Sequence, residues 1–146
     1  SIGLPIELPF ESDANSHLDV KSQHRRFSSR LDEFMRLSHA VIIVPGGIGT
    51  LLELFYTWQL MQVNHIKPRP LVLLADNDSW LKLMEWLREY PLRNHLMSER
   101  DFAMLKVAHS VEEVISLLDA DLKRFRGENK SQRQKNKKVA DQDGED

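Results

Sequence analysis

Val41-Ile-Ile-Val-Pro-Gly-Gly-Ile-Gly-Thr-Leu-Leu-Glu53 is the stretch on which the reading of this chain turns. Val41 to Val44 are four apolar, β-favouring residues and predict a short buried strand. Pro45 ends that strand, because it has no N–H to give to a sheet ladder. Gly46, Gly47 and Gly49 predict a turn with positive φ and room for a ligand to approach the backbone. From Thr50 onward, Leu and Glu residues favour a helix, so the pattern is strand, glycine loop, helix. Such a loop aims unpaired amide N–H groups and the positive end of a helix dipole at one place. That place suits an anion, with phosphate the leading choice.

Upstream, Ile2 to Leu8 predicts a buried strand and Pro9 to Val20 a polar loop. A helix is expected from about Gln23 to Leu37, with Phe27, Leu31, Phe34, Met35 and Ser38 on one side at 3.6-residue spacing. Arg25, Arg26 and Arg36 fall away from that side, whereas Arg30 borders it. A guanidinium there can reach a cleft while its stem stays covered. Downstream, the helix expected from Thr50 to about Asn64 is apolar nearly all round, which implies burial from more than one side. One side would meet the sheet and another a partner subunit. Thr50, Glu53, Thr57 and Asn64 form its narrow polar stripe. A carboxylate among hydrophobes costs free energy unless something uses it, which singles out Glu53. The ordinary alternative is a first-turn glutamate favoured by the dipole, or one bonded back to the loop as a cap.

Leu71 to Leu74 predicts a second buried strand, and Asp76-Asn-Asp-Ser79 turn and cap chemistry. A helix from Trp80 to Tyr90 would turn Leu81, Met84 and Leu87 or Trp86 inward. Met104 to Val107 predicts an edge strand. Ser110 caps a last helix, with Glu113 completing a capping box, and that helix runs to about Phe125. Strands alternating with helices of this length predict an α/β fold, a parallel sheet with helices on its faces.

The 146 residues suit one domain, placed at 1–125, followed by a charge-segregated tail at 126–146. In that tail a basic run, Lys130 to Lys138, precedes acidic residues and reads as solvated chain. A net charge of −2 gives no pull toward nucleic acid or anionic lipid. No stretch reaches the roughly 20 apolar residues of a membrane span, so a cytoplasmic protein is expected. With no cysteine, thiolate metal sites and a cysteine nucleophile are excluded. Six scattered histidines argue against a metal centre. No lysine follows the glycine loop as in a P-loop, and no GxSxG elbow is present.

Pro45-Gly46-Gly47-Ile48-Gly49-Thr50-Leu51-Leu52-Glu53 resembles the PGGxGTxxE motif of the LOG proteins, cytokinin-activating phosphoribohydrolases long labelled lysine decarboxylases. Arg30 stands at that family's usual distance before the proline, and Ser1 to Glu11 is similar to the lead-in of its longer bacterial members. The resemblance covers roughly residues 1 to 120. It implies a Rossmann-like domain of which this chain is the C-terminal portion. It implies hydrolysis of the N-glycosidic bond of a nucleoside 5′-monophosphate, AMP being a safer substrate than a cytokinin nucleotide. Arg30 and Glu53 would be the catalytic pair, and Gly46, Gly47, Ile48, Gly49 and Thr50 would hold the phosphate. No cofactor and no metal are called for, and a homodimer or larger assembly is expected. The family often has lysine where Leu31 stands here. Two other readings are a nucleotide or cofactor carrier, since molybdenum-cofactor carriers resemble LOG proteins, and a dimerisation module built on the apolar helix.

Overall fold

The computed structural model describes residues 1–6, 17–75, 78–123 and 126. Strands β1 (Ile2–Gly3), β2 (Val20–Lys21), β3 (Val41–Ile43), β4 (Leu71–Leu74) and β5 (Leu105–Ala108) alternate with helices. The helices are α1 (Phe27–Leu37), α2 (Ile48–Gln62), α3 (Leu81–Leu87), the single turn α4 (Glu99–Phe102) and α5 over residues 111–123. The strands form two parallel sheets, β1-β2 and β3-β4-β5. This is the expected α/β architecture, a partial Rossmann-like domain.

Strand β4 shows why helices cover both faces. Successive side chains of a strand point to opposite sides. Leu71 and Leu73 join the cluster containing Met35 of α1, Leu54, Trp58 and Met61 of α2, and Met84 and Leu87 of α3. Val72 joins Val114 of α5 and Ala108 instead, with Leu117 and Leu118 packed alongside. All three β4 residues are fully buried, so an alternating hydrophobic pattern would be out of place and the continuous Leu71-Val-Leu-Leu74 run is required. The sheet's other edge is β5, at Leu105–Ala108 and not one residue earlier.

Several boundaries differ from the sequence reading, each for a local reason. Helix α1 begins at Phe27, because His24 is held extended by a bridge to Ile6 and its N–H donates to Pro5 O. The first strand is two residues long and half open to solvent, and β2 occupies the end of the expected loop. Arg69 ties the far end of α1 down: its Nη1 donates to Met35 O at 2.8 Å and to Ser38 O, taking carbonyls that the helix end leaves unpaired. Burial lowers the Arg69 pKa. In α3, Met84 and Leu87 face inward while Leu81 and Trp86 face out. A π-helical turn, Arg88–Leu92, continues that helix and contains Pro91. Ser110 accepts from the Glu113 N–H as expected, but the Glu113 carboxylate reaches one residue further back, to His109 N–H at 2.7 Å. Asp76, Asn77 and, apart from Arg126, the expected tail lie outside the described residues. No described helix is long and apolar enough to cross a membrane.

Candidate active site

The glycine loop leads from β3 into α2 without a positive φ, and this corrects the expectation of a left-handed turn. No described glycine has one; Asn64, Asp78 and His95 do. The helix starts at Ile48, two residues before Thr50, with Gly47 as N-cap in an extended conformation. The glycines differ in what the fold asks of them. A Cβ on Gly46 would lie 2.1 Å from Thr50 Oγ1, so Gly46 makes room for the Thr50 hydroxyl against the loop. Gly47 and Gly49 face open space, where a Cβ would meet nothing within 4 Å. The protein therefore does not itself require glycine at these two positions.

Gly47 also lacks the side chain by which Ser, Thr, Asp or Asn at an N-cap would bind the first-turn amides. The first bond of α2 is Leu51 N–H to Gly47 O, at 3.1 Å. The N–H groups of Ile48, Gly49 and Thr50 precede it and have no carbonyl within the helix. Three donors at the positive end of a 15-residue helix are the kind of arrangement that attracts anions in general. The approach to them is open at Gly47 and Gly49.

One turn further on, Glu53 meets Arg30. Arg30 Nη2 lies 2.6 Å from Glu53 Oε1, and Arg30 Nε donates to Leu4 O at 2.7 Å. Their side chains are 26% and 22% exposed, covered along the stems but reachable from solvent. Glu53 therefore faces another helix; it does not cap its own. Guanidinium donors on Nη1 remain directed beyond these two bonds, which fix the plane of the fork. Arg36, by contrast, makes two 2.7 Å bonds to Glu33 on the same helix. That pair is solvent-exposed, and Arg36 holds the Glu33 carboxyl below the usual carboxylate range. The structure thus brings Arg30, Glu53 and the loop residues 46–50 together at one end of α2.

Three supports of this site were not foreseen. Thr57, expected on the polar stripe, is fully buried, and its Oγ1 donates to Glu53 O at 2.7 Å. Leu4 supplies a backbone carbonyl to Arg30 from 26 residues away. Tyr56 Oη donates to Asp32 Oδ1 at 2.6 Å, and that bond raises the phenol pKa above its ordinary value. Neither the carbonyl contact of Leu4 nor the cross-helix bond of Tyr56 leaves a local sequence signal. An open apolar groove lined by Phe55, Trp58, Trp86 and Pro91, among others, lies elsewhere on α2, and none of the predicted site residues lines it. Among the described residues no group of His, Asp and Glu side chains converges as a metal set.

Residues 1–118 match the family described as possible lysine decarboxylase, the LOG family. A pyrimidine/purine nucleotide 5′-monophosphate nucleosidase of Escherichia coli, matched in three strains, is 38% identical over 52 residues. Those residues are 34% of this chain and 12% of the relative, so the chain spans only a small part of that protein. The family match covers most of the chain, and the chain belongs to the LOG family.

Proposed function

We propose that this member of the LOG family is a phosphoribohydrolase that releases the free base and ribose 5-phosphate from a nucleoside 5′-monophosphate, with AMP as the first substrate to try. The observation that carries the reading is the 2.6 Å Arg30–Glu53 pair one helical turn from three unpaired amides. In this reading the 5′-phosphate sits on the Ile48, Gly49 and Thr50 N–H groups, with the Thr50 hydroxyl beside Gly46 as a further donor. Binding energy from the phosphate then orients the sugar, remote from the bond that breaks. Cleavage of C1′–N leaves the bond's electron pair on the base and positive charge on the ribose ring. The Glu53 carboxylate stabilises that charge and orients the water that adds to C1′. The proton lost by the water balances the one the departing base takes up. Arg30 holds ribose or phosphate oxygens through its remaining donors while keeping Glu53 in place.

The test is free adenine released from AMP, measured by chromatography, with and without Glu53→Gln. That change keeps shape and removes charge. A loss of about 10²–10⁴-fold is expected for a group acting on the transition state. Unchanged release in Glu53→Gln sinks the assignment. AMP binding without release by the wild type supports the second reading, a carrier.

A further inference from the structure

We propose that Asp32 and Tyr56 are positioning residues that keep α1 from rolling, and so hold Arg30 against Glu53; this rests on the phosphoribohydrolase reading. Leu31 and Met35 are 4% and 5% exposed and mark the line along which α1 lies on the core. Arg30 and Asp32 stand one residue either side of Leu31, each about 100° around the helix from it. They therefore leave opposite flanks of the buried line. On α2, Glu53 and Tyr56 are three residues apart and share a face.

Each flank of α1 thus carries one bond to that face, Arg30 to Glu53 at 2.6 Å and Tyr56 to Asp32 at 2.6 Å. A roll that slackened one would strain the other, so the two bonds together fix the angle at which the guanidinium presents its fork. Arginine has a long flexible stem, and its head is held only as well as its base. The Leu4 carbonyl also holds that head, but it lies just after the two-residue strand β1, whose Ile2 is 57% exposed. Tyr56 is packed against the core, which makes it the firmer of the two anchors.

Tyr56→Phe keeps the packed ring and removes the bond. Its kcat for adenine release should fall about ten- to hundred-fold, as small misplacements of catalytic groups do, with KM close to that of the wild type. KM changes less than kcat because the loop and α2 amides still hold the phosphate, while only the Arg30 share of substrate binding loosens. Asp32→Ala should match that loss, and Asp32→Asn, which retains an acceptor oxygen, should restore most of the rate. The double variant Asp32→Ala/Tyr56→Phe should be no worse than either single change. Solvent exchange of the Arg30 Nε–H, followed by NMR, should quicken in Tyr56→Phe. A wild-type kcat in Tyr56→Phe, losses that multiply in the double variant, or a rate loss without faster Nε–H exchange each overturn the proposal. If the wild type releases no base at all, the enzyme reading has failed on its own, and the Nε–H exchange alone decides whether the pair positions Arg30.

Discussion

The two sheets that meet at Arg30 are unlike. In the three-stranded sheet, Leu71, Val72 and Leu73 are wholly buried between helices on either face. In the two-stranded one, Ile2 and Val20 are 57% and 54% exposed, and each strand is two residues long. Glu53 rides on α2, which Leu54 and Met61 lock to the thick sheet. The outer hold on Arg30 is the carbonyl of Leu4, the residue after strand β1 of the thin one. The carboxylate is therefore set on the stable body, and its cationic partner bridges to the weaker one. Regions with few buried contacts open at low free energy, and sites that must admit a ligand draw on them.

The largest effect expected from this contrast is in stability. Leu54→Ala removes a side chain with no exposure from the middle of the main core and should cost about 2–5 kcal/mol. Val20→Ala in the thin sheet should stay within about 0.5 kcal/mol. Denaturant midpoints of the two variants measure the difference, and equal losses would mean that the two sheets form one body.

This contrast also separates what could be read from the sequence from what could not. The thick sheet was legible because its signals are local and strong, and the Leu71 to Leu74 run forms β4 as expected; of Val41 to Val44, however, only Val41–Ile43 form β3, and Ile42 and Val44 are exposed. The glycine loop was legible in its place and purpose, but not in its backbone. The three glycines were assigned to positive φ, whereas the observed needs are space for Thr50 at Gly46 and open approach at Gly47 and Gly49. Strand β2 was missed because Val20-Lys21 carries no apolar run, and only its pairing with Ile2 and Gly3 makes it a strand. The Tyr56–Asp32 bond spans 24 residues and joins two helices whose relative roll depends on the whole core. No periodicity encodes such a contact. Arg30 and Glu53 stood out by their surroundings, a cation at the edge of an apolar face and a carboxylate among leucines; the family resemblance placed them together as a pair, but their direct 2.6 Å contact was not visible.

A smaller effect asks how much of the thick body depends on polar detail at its rim. Ser98 and Asp101 form a reciprocal capping box at the start of α4, and Trp58 Nε1 donates to Asp101 O at 2.9 Å, joining that turn to α2. Ser98→Ala should cost about 1 kcal/mol at neutral pH, well below the loss at Leu54. Bonds from the Ser98 N–H and hydroxyl hold the Asp101 carboxyl below its usual range. A depressed carboxylate contributes stability that is complete above its unfolded pKa of about 3.9 and is lost as pH falls through the folded value. The gap between wild type and Ser98→Ala should therefore narrow below about pH 4. Melting curves across that interval check it, and a gap that widens on acidification would contradict the cap.

The smallest effect on stability is the most telling about the site, because its sign is opposite to its effect on binding. Gly49 lies in the first turn of α2, without a positive φ, and a Cβ there meets nothing. Gly49→Ala reduces the freedom of the unfolded chain and suits a helix, so it should raise stability by about 0.5–1 kcal/mol. A glycine that the fold would gain by losing needs another reason to be there. If a phosphate rests on the Ile48, Gly49 and Thr50 amides, the added methyl stands in its path. Affinity for AMP and for ribose 5-phosphate, measured by calorimetry, should then fall as the melting temperature rises. Gly46→Ala gives the complementary result: its Cβ would collide with Thr50 Oγ1, so stability and binding should fall together. Undiminished binding in a stabilised Gly49→Ala protein would show that nothing sits on those amides, and the loop into α2 would lose its claim to be a phosphate site.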